Sequence, residues 1–144
     1  MATIDKLANE ISIMVPKLMK GAKSDFLSKA NITSAQMIML VSIHDYGSCK
    51  LKTLAKARGI SPPTATGLID RLVRAGYVKR GTADDDRRVV MVSLTKKGED
   101  SARDFLRAVR NRWKKILVHL TVKEQQQYLH IIKKVVAILS GKAG

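Results

Sequence analysis

The chain has 144 residues, with 27 Lys and Arg against 12 Asp and Glu, a formal net charge of +15, and only 4% aromatic residues. That length suits one domain, and a chain rich in Ala, Leu, Lys and Arg favours a mainly helical one. The start, MATIDKLANE, lacks the basic-then-apolar layout of a signal peptide, no apolar run approaches the ~20 residues that span a bilayer, and the lone Cys49 forms no internal disulfide. The expectation is a cytoplasmic protein with no membrane contact.

Residues 4–20 place Ile4, Leu7, Ala8, Ile11, Val15 and Leu18 at helical spacing, with Pro16 kinking the helix or ending its regular part and Gly21 as the stop. Thr33 and Gln36 form a capping box opening a helix that buries Met37, Leu40, Val41 and His44 and stops at Tyr46-Gly47. A short helix over 51–58 ends at Gly59. Ser61 then caps a helix over 62–75, with Pro62 in its first turn and Ala65, Leu68, Ile69, Leu72 and Val73 on its inner face. After Gly76 the period changes: residues 77–80 and 88–94 read as two strands, and GTADDDR between them as an exposed hairpin tip. Thr95 caps a helix over 96–118, ~34 Å long. A second capping box, Thr121 with Glu124, opens the last helix, whose apolar residues from Tyr128 to Leu139 spread over more than one face; the tail SGKAG reads as loose. The fold class is mainly α with a small β-hairpin: a winged helix-turn-helix with a helical dimerisation region.

The charge is uneven. Residues 49–98 carry twelve basic and four acidic groups, whereas residues 1–48 carry five and four. A polyanion is therefore expected to bind in the middle third. There the run LKTLAKARGISPPTATGLIDRLVRA has the grammar of a helix-turn-helix: a short brace, a Gly turn, a capped second helix. The second helix turns Pro62, Pro63, Thr64, Thr66, Gly67, Arg71 and Arg74 outward, with Ser61 at its start. This face is small near its N-terminus and suits the major groove, while hydroxyls and Arg reach phosphates and base edges. Lys79, Arg80, Arg87 and Arg88 flank the hairpin loop as a wing for phosphate and minor-groove contact, with Asp86 two residues before Arg88 to aim it.

The segments IDRLVRAGYVKR and DDDRRVVMVSLTKKG resemble the MarR family pattern, with Asp70, Arg71 and Leu72 matching its first part and Asp86, Arg88, Leu94 and Thr95 its second. The upstream ITSAQMIML resembles the family's helix-opening segment. Gly67 departs from the basic or polar residue often found there, and Asp84 and Asp85 make an unusually acidic wing. The resemblance implies a transcriptional regulator, usually a repressor, that binds a double-stranded DNA operator as a homodimer. Residues 1–30 and 99–144 would form the dimerisation helices and 31–98 the DNA-binding region. It also implies a pocket for a small-molecule effector, phenolic or aromatic, between dimer interface and DNA-binding lobe.

Other candidates weigh less. Cys49 beside Lys50 and Lys52 fits a redox switch, but a semi-buried turn residue explains it better. His44, His119 and His130 lack metal-ligand spacing, and Trp113, Phe105, Met14, Met37 and Met39 read as packing before pocket. No nucleophile–base pair, phosphate-binding Gly loop or carboxylate pair suggests an enzyme, and no cofactor or metal is expected. The rival reading is an architectural DNA-binding protein of weak sequence preference, which the large charge and Gly67 both suit.

Overall fold

A computed structural model describes residues 2–21 and 25–141. In chain order these form α1 (Ala2–Gly21), α2 (Asp25–Ala30), α3 (Ser34–Tyr46), β1 (Cys49–Lys50), α4 (Leu51–Arg58), α5 (Pro62–Arg74), β2 (Val78–Ala83), β3 (Asp86–Leu94), α6 (Lys96–Leu117) and α7 (Val122–Leu139). The last three residues of the SGKAG tail lie outside the described residues. No helix among those described is long and apolar enough to cross a membrane. The chain divides into two compact units, residues 1–106 and 107–144, with the boundary inside α6.

In the first unit, α3 supplies Met37, Met39, Leu40 and Ile43 to the core. Leu54 and Ala55 of α4, Ala65, Ile69 and Leu72 of α5, Val78, Val92 and Leu94 of the sheet, Ala102 of α6, and Ile32 and Tyr77 complete it. The expected caps form: Thr33 Oγ1 accepts from the Gln36 amide and the Gln36 side chain accepts from the Thr33 amide. At the end of α4, Gly59 takes a left-handed conformation with φ 64° and ψ 31°. Gly76 does the same duty after α5, with φ 83°. It lets the Tyr77 amide return to the Leu72 carbonyl at 2.9 Å, which closes the helix.

The structure departs from the sequence expectation at several points. The helix α1 stops at Gly21 as expected, but its regular part does not end at Pro16. A six-residue helix, α2, was not anticipated; its Phe26 ring packs 6.0 Å from that of Phe105. His44 is half-buried rather than buried, and its Nδ1 lies 2.8 Å from Glu99 Oε2. The sheet has a third strand, in the order β1-β3-β2, with Cys49 opposite Val92 and Lys50 opposite Met91. The hairpin is also longer than read: Gly81, Thr82 and Ala83 belong to β2 and Asp86 begins β3, leaving Asp84 and Asp85 as the turn. Antiparallel pairing across the hairpin holds Gly81 to Ala83 in strand, with a register shift between Thr82 and Ala83.

In the second unit, the Trp113 and Tyr128 rings lie 5.7 Å apart. Gln125 Nε2 donates to the Leu117 and Leu120 carbonyls, satisfying the end of α6. Thr121 and Glu124 form the expected capping box, and the Thr121 backbone and side-chain hydrogen bonds hold the Glu124 carboxyl below its ordinary pKa.

Candidate nucleic-acid interface

The sequence PPTATGLIDRLVR forms α5 because its start is pre-organised. Ser61 Oγ accepts from the Thr64 amide at 3.3 Å, and two prolines fill positions whose amides have no helical partner. Ala65, Ile69 and Leu72 anchor the inner face in the core. The outer face keeps Ser61, Pro62, Pro63, Thr64, Thr66, Arg71 and Arg74 exposed, with Gly67 half-buried. A β-carbon at Gly67 would meet nothing within 4 Å, so the helix presents a low surface there. Short hydroxyl side chains lead this helix and cations end it.

Beside α5 stands the hairpin. Asp86 Oδ1 accepts from the Arg88 amide at 2.9 Å and from Arg88 Nε at 3.3 Å, so one carboxylate shapes the turn and holds the guanidinium. The Arg88 side chain is still 91% exposed. Lys79, Arg87 and the turn residues Asp84 and Asp85 are exposed as well. Residues alternate across a strand, so Lys79, paired with Ser93, lies on the outer face of the sheet. A concavity of about 520 Å³ there is lined by Lys50, Lys79, Met91, Ser93, Asp84 and Asp85, among others.

Arg80 differs from its neighbours. It is paired with Val92, whose side chain is buried, and so shares the inner face of the sheet. From there its Nη2 forms an ion pair with Asp70 Oδ1 of α5. The sequence offers Arg80 as a wing cation and Asp70 as a motif match, and their pairing is not legible in it. A second connection, also missed, ties α6 to the end of α5. Thr95 Oγ1 donates to the Gly76 carbonyl at 2.6 Å, and Lys97 Nζ donates to the Ala75 carbonyl at 2.7 Å. The Lys97 ammonium also sits 4.3 Å from the Tyr77 ring centroid, a cation–π distance. Thr95 Oγ1 further accepts from the Gly98 amide at 3.1 Å. A β-carbon at Gly98 would overlap the Tyr77 carbonyl oxygen, so this approach requires glycine. Periodicity carries no sign of such a contact.

The remaining candidates fall into place. Cys49 is half-buried in β1, and burial pushes its thiol above the ordinary pKa, the opposite of thiolate activation. No group of His, Cys, Asp and Glu suited to a metal occurs among the described residues. Met37 and Met39 are core residues, Phe105 packs against the core, and Met14 is exposed. Trp113 lines an apolar cavity of about 430 Å³ within the second unit, together with Leu117, Gln125, Tyr128, Leu129 and Ile132.

Comparison with known proteins agrees with this architecture. Residues 32–90, spanning α3 to the wing, match the model of the MarR family. The HTH-type transcriptional repressor MdtR of Bacillus subtilis (strain 168) is 28% identical over 93% of this chain and 88% of its own length. The uncharacterized HTH-type transcriptional regulator YfiV of the same strain is 31% identical over 81% of this chain and 75% of its own length. Among solved structures, a cysteine-to-serine mutant of MarR from Escherichia coli, complexed with operator DNA, is similar with a TM-score of 0.71. Its sequence is 27% identical, over 88% of this chain and 91% of that one. The winged helix-turn-helix formed by α3 to β3, together with these likenesses, places the chain in the MarR family of transcriptional regulators, which are DNA-binding proteins rather than enzymes.

Proposed function

We propose that this chain is a homodimeric repressor that binds a double-stranded operator in the cytoplasm and is released by a small phenolic or aromatic effector. The observation that carries the reading is the outer face of α5: a capped, low N-terminal turn, then Arg71 and Arg74, with the exposed Arg88 beside it on the wing. Ser61 to Arg74 enter the major groove, while Lys79, Arg87 and Arg88 meet phosphates and the flanking minor groove. Residues 31–98 thus form the DNA-binding region. Residues 1–30 and 99–144 are the dimerisation segments, supported by the exposed Ile4, Leu7, Ile11 and Leu18 of α1 and Ile131, Val135, Val136 and Leu139 of α7.

Selection of duplexes from a random-sequence library by the purified chain tests the reading. The expected product is a pseudo-palindrome with half-sites ~34–36 Å apart, bound steeply more weakly as salt rises. A specificity ratio near unity against random competitor DNA rejects the repressor reading in favour of architectural coating. Release of the selected duplex by phenolic compounds tests the effector separately.

A further inference from the structure

On a helix, Pro63, Gly67, Asp70 and Arg74 succeed one another along a single row, at spacings of four, three and four. That row is part of the face that the proposed reading presses toward DNA. A carboxylate within it opposes a phosphate backbone unless something neutralises it. The ion pair with Arg80 supplies that cation. It reaches α5 from β2, a strand of the wing, and both side chains are about two-fifths exposed, 38% for Arg80 and 42% for Asp70.

We infer that Asp70 and Arg80 are positioning residues for DNA recognition. Arg80 contacts no phosphate; it binds Asp70, cancels the negative charge on the reading face and fixes the wing's angle to the recognition helix. Phosphate contact is left to Arg71, Arg74, Lys79, Arg87 and Arg88. The geometry supports this division. The Arg80 side chain starts on the inner face of the sheet, beside buried Val78 and Val92, whereas Lys79 starts on the outer face. Arg88 is held by Asp86 and remains almost fully exposed, but the Arg80 guanidinium is turned back to α5. A planar fork matched to a carboxylate suits this fixing task better than an ammonium would.

The inference rests on the proposed DNA-binding reading, and its test keeps the two apart. The probe is the duplex that the parent chain selects from a random library. If the parent selects none, or binds with a flat salt dependence, the DNA reading itself fails. With that probe in hand, Asp70→Asn, Arg80→Gln and the double variant are compared by salt titration, hydroxyl-radical footprinting and thermal unfolding. Simple electrostatics predicts that Asp70→Asn, which removes a negative charge from the reading face, tightens binding. The positioning role predicts the opposite sign: weakening of about three- to tenfold, comparable to that of Arg80→Gln, as expected for loss of a partly exposed ion pair. The double variant should bind no more weakly than either single one, because both remove the same interaction. The salt slope should stay at the parent value. Protection should fade at the flanks reached by the wing and persist under α5. Asp70→Asn is isosteric, so a folded variant is available even if Arg80→Gln unfolds. Tighter binding by Asp70→Asn, or a salt slope lowered by about one in Arg80→Gln, overturns the inference, since the latter marks a lost phosphate contact.

Discussion

The helices α5 and α7 are both capped by a hydroxyl side chain, yet they end in opposite conditions. Three residues of α5 are buried and its outer face is polar, cationic and complete. No residue of the 18-residue α7 is buried, and Leu139 is 81% exposed. One helix has its apolar partner within the chain and turns a polar, cationic face outward. The other has its apolar face still open to water. A single copy of this chain therefore leaves apolar surface on α7 uncovered while the inner face of α5 is packed. Water exclusion governs what α7 needs next, and charge governs what α5 needs next.

Breaking the apolar side should have the largest effect. Val136→Glu puts a charge on an exposed apolar face, where it disturbs no buried contact of the single chain. Sedimentation should move from about twice the 15.9 kDa chain mass to the chain mass itself, with helicity retained. Operator affinity should fall by roughly 100-fold or more as one half-site is lost. A monomeric parent with full operator affinity would sink the assignment.

A smaller effect is expected at the seam between α5 and α6. Gly98→Ala forces a methyl group onto the Tyr77 carbonyl and should cost about 1–3 kcal/mol in denaturant unfolding. Unchanged stability would show that this approach relaxes freely.

On the cationic side, Arg88→Ala should weaken operator binding by roughly 1–3 kcal/mol while the melting temperature barely moves. Lys at that position should restore little, since it lacks the planar fork. Parental affinity in Arg88→Ala at matched salt would remove the wing from the interface. The most delicate test is Gly67→Ala. A β-carbon there meets no protein atom, and alanine should stabilise α5 by about 1 kcal/mol. Because the added methyl faces the groove, DNA affinity should fall even as stability rises. If both increase, Gly67 does not face DNA.

What could be read in advance had local causes. Ser61 followed by two prolines, Gly59 and Gly76 at helix ends, and two capping boxes all act within a few residues, and the structure forms each of them. The pairing of Asp86 with Arg88 belongs to the same class, being two residues apart. The misses are non-local. Strand β1 is two residues long and exists only because β3, some forty positions later, offers it an edge. The helix α2 has only six residues, too few for a helical period to announce it. Asp84 to Asp86 looked like one turn, but cross-strand pairing drew Asp86 into β3. Arg80 has an ion pair with Asp70 that is invisible in the same way, because net charge records no partners. Only the inward orientation of its strand position brings it to Asp70.

The joint at Ala75, Gly76 and Tyr77 has a mechanical consequence. A glycine with positive φ is usually where a chain can swivel, and Gly76 is such a residue. Here its carbonyl is held by Thr95, the carbonyl before it by Lys97, and the ring after it lies under the same ammonium. The swivel is pinned on three sides. A twist applied to the first turn of α6 is therefore handed to the last turn of α5 with little slack, as torque passes through a keyed shaft.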